Sequence, residues 1–178
     1  MYIGLDIGTT TLSAVVLDTE SGGLLAHRTT PNRSGLSPGK GRAEADIDLL
    51  HQAATECLAS IVADEAVDPS TVRAIGVTGQ QHGVAFLDSG GAPLRTAITW
   101  QDVRGQMPFP GSERSYVAEL IHRCGGPQAF RPTGCMPAAG FLGTSLFWLH
   151  ENDRMPAQPY TACFIPDAIV IFLTGAPP

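Results

Sequence analysis

The spacing of apolar and polar positions changes several times along this chain, and each change predicts an element. Residues 2–7 (YIGLDI), 11–18 (TLSAVVLD) and 24–30 (LLAHRTT) are short runs rich in β-branched and aliphatic residues, predicted as three strands. Gly8 with its following threonines makes the first turn, and Ser21-Gly22-Gly23 the second. Connections this short favour antiparallel neighbours. The stretch PNRSGLSPGKGRAEAD is polar and rich in Gly and Pro, so it is predicted as a loop. The period then becomes helical: Ile47, Leu50, Ala54, Cys57, Leu58 and Ile61 form one apolar stripe behind a capping Asp46.

After Asp68-Pro69 comes a fourth strand, AIGVTG, and then GVAFLD and TAITW, predicted as a hairpin joined through Ser89-Gly90-Gly91. A helix is expected near 113–123. Another is expected near 140–151, where Phe141, Ser145, Trp148 and Leu149 share a face. TACFI suits a last buried strand, and DAIVIFLTG a closing helix with Gly175 just past its end. Strand four follows a helical crossover and so is expected parallel to strand one. The expected fold is α/β: a three-strand antiparallel meander plus parallel strands in a mixed sheet with flanking helices, the order of a ribonuclease-H-like core.

At 178 residues the chain is long enough for one domain with a real core. Eleven Lys+Arg against 17 Asp+Glu give a formal charge of −6 with no basic block, which argues against a general nucleic-acid surface. No apolar run approaches the ~20 residues of a membrane span, and the start lacks the charged region of a signal peptide. A cytoplasmic protein is expected. Cys57, Cys124, Cys135 and Cys163 lack metal-type spacing and are expected to be buried free thiols. Asn32-Arg33-Ser34 spells a glycosylation acceptor, but nothing routes the chain through secretion.

Asp6 stands inside the apolar first run. An ionised carboxylate left unpaired in a dry interior carries a penalty of about several kcal/mol, so its surroundings need an explanation. A turn of Gly8, Thr9 and Thr10 exposes backbone N–H groups and hydroxyls in one small concavity, a nest suited to phosphate. Asp6 at its mouth could hold Mg²⁺, which favours a few carboxylates together with phosphate oxygens. The plainer alternative is a carboxylate that caps the turn by accepting backbone N–H bonds. Gly35 to Lys40 only imitates a P-loop: its glycines are too close, Gly41 replaces the hydroxyl residue, and no strand precedes it.

GVTGQQHG (76–83) and ITWQDVRG (98–105) are the other unusual segments. Amide, imidazole, carboxylate and guanidinium groups around an indole suit a sugar, whose hydroxyls need donors and acceptors and whose C–H face needs a ring. Two polar loops with an anchoring Trp and an Asp102–Arg104 pair would read the same way.

Taken together and in this order, YIGLDIGTTTLSAVVLD, AIGVTGQQHGVAFLD, TAITWQDVRG and FIPDAIVIFLTG resemble the N-terminal domain of the FGGY carbohydrate kinases. TWQD and GTSLFWLH look most like sedoheptulokinase, with xylulokinase next. The resemblance implies an ATP-dependent kinase in which Asp6 organises Mg²⁺ and Gly8, Thr9 and Thr10 contact the terminal phosphates of ATP. It implies that Gln81, His82, Trp100, Asp102 and Arg104 line or support the sugar side, with Asp167 near it. Gln81, where xylulokinases have Met, and Val103, inside the usual Asp-Gly-Arg, depart from the pattern. The family's general-base Asp lies in a Gly-Asp segment of a second domain, and no such segment occurs here. The expectation is therefore a kinase fragment without its base and without the nucleotide-binding C-terminal domain, inactive alone. The rival readings are a non-catalytic sugar-binding module and half of an actin-like or chaperone-type ATPase.

Overall fold

The computed structural model describes residues 1–177. The predicted meander forms as β1 (Tyr2–Ile7), β2 (Thr11–Leu17) and β3 (Leu24–Pro31), paired antiparallel. Two short strands follow, β4 (Gly35–Leu36) and β5 (Glu44–Ala45), and then helix α1 (Ile47–Val62). The chain returns as β6 (Ala74–Gly79), which lies parallel to β1 as expected, giving the order β3-β2-β1-β6. A parallel neighbour needs a crossover, and α1 supplies it. Asp46 caps that helix by accepting from the Leu49 N–H at 3.1 Å.

Alternation in β1 and β2 sends Ile3, Leu5, Ile7, Leu12, Ala14 and Val16 to one face of the sheet. There they meet Leu50, Ala54, Cys57 and Ile61 of α1 and Ile165, Ala168 and Ile169 of α4 (Ile165–Thr174). The opposite face, which carries Tyr2, Gly4 and Asp6, is open, and Tyr2 is exposed. Asp6 lies on this open face and is exposed. The buried-carboxylate question raised by its apolar neighbours therefore dissolves: period two puts Asp6 beside water, and its position, not its burial, is what matters.

A second packing centre joins Val84, Phe86, Ile98, Tyr116, Trp148 and Leu149. It gathers β7 (Ala85–Leu87), β8 (Ala97–Ile98), α2 (Tyr116–Arg123) and α3 (Leu142–Glu151). The expected hairpin between GVAFLD and TAITW does not form as a ladder. Its two halves meet at the Val84–Ile98 bridge, while β7 pairs with β9 (Thr161–Cys163) and β8 with β5. β7 is buried throughout, so it takes partners that cover it on all sides. β9 itself is half-buried, not buried. The polar loop after β3 is more ordered than its composition predicts, because β4 and β5 lie within it and form a small sheet with β8.

Cys57 is buried as expected and Cys163 is half-buried, but Cys124 and Cys135 are exposed; all four are free. Cys124 caps α2 just before Gly125 and Gly126, both at positive φ, and this turn carries the chain outward. No helix among the described residues is long and apolar enough to cross a membrane.

Candidate functional site

Ile7 pairs with Leu12, so Gly8, Thr9 and Thr10 bridge two strands already in register. A Cβ on Gly8 would stand 2.5 Å from the Thr11 carbonyl oxygen, so the bend admits no side chain there. The same point lies 3.6 Å from Asp6 Oδ2, which places the Asp6 carboxylate over the turn. That carboxylate accepts no hydrogen bond among the described residues, so it does not cap the turn. Asn32 does the buttressing: its Nδ2 donates to the Gly8 carbonyl at 2.8 Å and its N–H to the Thr10 carbonyl at 2.9 Å. Its Oδ1 accepts from Ser34 Oγ and Ser34 N–H. In the sequence Asn32 shows only a glycosylation spelling; in the structure its amide is committed to the fold.

Because β6 runs parallel to β1, Gly79 lies level with Ile7, and the chain leaves the sheet beside the turn. The Gln80 N–H still donates to the Ile7 carbonyl at 2.8 Å. His82 has φ +71°, a left-handed conformation uncommon outside glycine, and its ring stacks on Phe141 at 3.8 Å and 6°. Gln81 is exposed. Trp100 donates its indole N–H to Thr9 Oγ1 at 3.0 Å and keeps 49% of its surface exposed. A Cβ on Gly140 would meet the Trp100 carbonyl oxygen at 2.0 Å, so the start of α3 is seated directly on Trp100. Phe141 and Gly140 are site-forming residues that the sequence reading did not single out. The helical phase of Phe141 was visible, but its stacking on His82 was not.

The structure thus brings Thr9 against Trp100, and His82 against the start of α3. Asp102 and Arg104 are placed differently: both are fully buried, so they support the site and do not line it. Asp102 Oδ1 accepts from Arg104 N–H and Nε at 2.8 and 2.7 Å. Its Oδ2 accepts from Ala43 N–H and Arg104 Nη2 at 2.9 and 2.8 Å. Arg104 Nη2 also reaches Glu44 Oε1 at 2.7 Å, and its guanidinium lies over Trp148. Burial alone would raise the Asp102 carboxyl, but the Arg104 and Ala43 hydrogen bonds outweigh it and hold the group below the usual carboxylate range. For Arg104, burial pulls down while Asp102 and Glu44 push up and prevail. Asp167 sits in the first turn of α4 and accepts from the Phe164 N–H at 3.2 Å, a helix-capping contact.

No group of three His, Cys, Asp or Glu side chains among the described residues could hold a metal by itself. The donor set at the turn is one free carboxylate beside N–H and hydroxyl donors. That fits Mg²⁺ shared with phosphate oxygens, and not an all-protein cage.

The chain overlays xylulose kinase from Rhodospirillum rubrum with TM-score 0.72 and 31% identity, covering 95% of this chain and 33% of that one. It overlays a xylulose kinase from Brucella ovis with TM-score 0.79 and 26% identity, covering 96% and 33%. In sequence it is 34% identical to xylulose kinase of Streptomyces coelicolor over 98% of its own length and 34% of that protein's. It is 30% identical to glycerol kinase of Thermococcus onnurineus over 84% and 28%. Residues 1–176 match the FGGY family of carbohydrate kinases, N-terminal domain, and the chain belongs to that family. It spans about a third of the length of the curated relatives it matches.

Proposed function

We propose that this chain is the sugar-side part of an ATP-dependent carbohydrate kinase acting on a ketose. The strand order β3-β2-β1-β6 supports reading it as a ribonuclease-H-like core of the sugar kinase and actin-like superfamily. The Trp100 N–H to Thr9 Oγ1 bond carries the proposal. It joins the side chain best suited to a sugar's C–H face to the turn best suited to phosphate, and in phosphoryl transfer those two substrates must meet. Gly8, Thr9 and Thr10 would receive the terminal phosphates of ATP, and Asp6 would hold the Mg²⁺, which supplies charge neutralisation at those oxygens. Gln81, His82 and Trp100 would contact the sugar, with Asp102 and Arg104 holding the segment that carries Trp100. The relatives' names favour xylulose over the sedoheptulose suggested by TWQD and GTSLFWLH.

The general base is assigned outside residues 1–178. Asp102 has both oxygens committed to four donors and is not free to accept a sugar proton, and Asp167 gives one oxygen to a helix cap. A second domain of the same kinase would supply the base and the adenosine contacts. Two exposed free thiols suit a reducing, cytoplasmic setting.

Calorimetry on the 178-residue chain tests this. Mg-ATP and D-xylulose each bind, Asp6→Asn weakens Mg-ATP alone, and no sugar phosphate forms. Mg-ATP binding with no response to any ketose or polyol would transfer the chain to the actin-like ATPases. Sugar binding with no nucleotide effect would make it a sugar-binding module, and turnover by the isolated chain would refute the missing base.

A further inference from the structure

Next to the proposed sugar side chains, Gln80 has no assigned role, and its surroundings are unusual. The residue is 9% exposed, and its Oε1 is sealed from solvent with no hydrogen-bond partner among the described residues. The Nε2 of the same amide keeps some contact with solvent and has no protein partner among them either. A buried amide left this way weakens the fold unless something completes it.

Gln80 lines a cavity of about 270 Å³ whose walls include Thr9, Arg42, Thr99 and Gln101. One water occupies roughly 30 Å³ of liquid, so the space suits a short-chain solute better than a single bridging water. The Ser34, Ser37 and Thr99 hydroxyls in the wall already donate, while Thr9 Oγ1 accepts from Trp100 and keeps its own O–H free. Ser34 Oγ donates to Asn32 Oδ1, and Thr99 Oγ1 donates to the Ala43 carbonyl. Glu44 is taken by Arg104 and Thr96. The polar capacity that remains is the Gln80 and Gln101 amides, the Thr9 O–H and the Arg42 guanidinium, which lies 4.5 Å from the Trp148 ring centroid. An amide offers a donor and an acceptor on adjacent atoms, and a hydroxyl is the group that answers both at once. An anion would set its oxygens against Gln80 Oε1. Thr9 forms part of both this wall and the phosphate turn, so a hydroxyl held here stands beside the phosphates.

We propose that Gln80 is a substrate-reading residue: its amide, turned so that Oε1 meets this cavity, exchanges hydrogen bonds with a hydroxyl of a neutral ketose or polyol seated there. The proposal rests on the kinase reading and adds a specific contact to it.

The test compares the wild-type chain with Gln80→Met, which keeps the volume and removes the amide, and with Trp100→Ala. D-xylulose, glycerol and D-gluconate are titrated into each by calorimetry, and each is melted without ligand. The proposal expects Gln80→Met to melt at or above the wild-type temperature, because an unpartnered polar group has gone, while its D-xylulose Kd rises about tenfold or more. A clearly lower melting temperature would show the amide bonded within the protein and overturn the proposal. So would an unchanged Kd, or D-gluconate binding more tightly than D-xylulose, which would make Arg42 the reading group. If Trp100→Ala loses D-xylulose and Gln80→Met keeps it, the cavity assignment falls and the kinase reading stands. A wild type that binds none of the three overturns both.

Discussion

Replacing Asp102 by Asn removes one negative charge from a place with no water to compensate. Each carboxylate oxygen accepts two bonds, Oδ1 from Arg104 N–H and Nε, Oδ2 from Ala43 N–H and Arg104 Nη2. Whichever oxygen becomes the amide nitrogen, two donors lose their acceptor and face another donor. Each buried donor left unpaired costs roughly 1–3 kcal/mol, giving a loss centred near 4 kcal/mol. Removing one partner of a buried ion pair independently suggests about 3–5 kcal/mol. Glu44 remains on Arg104 and moderates the loss. At about 2–4 °C per kcal/mol for a chain of this size, the melting temperature should fall by roughly 6–20 °C. Urea unfolding followed by far-UV circular dichroism gives the free energy directly, with a lower midpoint and an unchanged slope. The Ala43 amide should also exchange faster with deuterium, because the weakened segment opens more often. A destabilisation under about 1 kcal/mol would refute the reasoning, since it would mean the Asp102–Arg104 pair is solvated and does not hold the loop.

Other outcomes follow from the same geometry. The Asp102 carboxyl is held below its usual range, so its contribution to stability is present above the unfolded value of about 3.9 and is lost as pH falls through the folded value. The wild-type urea midpoint should therefore drop below about pH 4, and Asp102→Asn should flatten part of that drop. Gly140→Ala places a methyl 2.0 Å from the Trp100 carbonyl oxygen and should destabilise by about 1–3 kcal/mol or more, measured by the same unfolding. In a thiol-reagent assay on native protein, Cys124 and Cys135 should react rapidly and Cys57 only on unfolding. Cys163, its thiol pushed up to about 11 by burial and then by Asp167, should react slowly even at pH 8.

Local pattern was enough to predict the meander, the crossover helix and the closing helix, because each is set by period, caps and short turns. The Asp46 cap and the Gly175 end fall where the residues predict them. Long-range pairing was not legible. GVAFLD looks like half of a hairpin, but β7 finds β9 far along the chain, a choice made by burial on all sides. The phase of Asp6 was not legible for a related reason: the apolar residues around it in β1 hide the alternation that gives one face to water. Asp102 and Arg104 were recognised as a pair, but their depth depends on Ala43 and Glu44, nearly 60 positions away. Of two adjacent glutamines, the residues alone could not tell that Gln80 points inward and Gln81 outward, because that parity is set by where β6 leaves β1.

The central claim is that phosphate and sugar meet across the Thr9–Trp100 contact. Amide and indole chemical shifts of the ¹⁵N-labelled chain, titrated with Mg-ATP and then D-xylulose, test it most directly. Mg-ATP should move the Gly8, Thr9 and Thr10 amides together with one of the two indole N–H signals, the one deleted by Trp100→Phe, and D-xylulose should move that same indole. Shifts confined to other parts of the chain, with the turn and the Trp100 indole unmoved by saturating Mg-ATP, would contradict it.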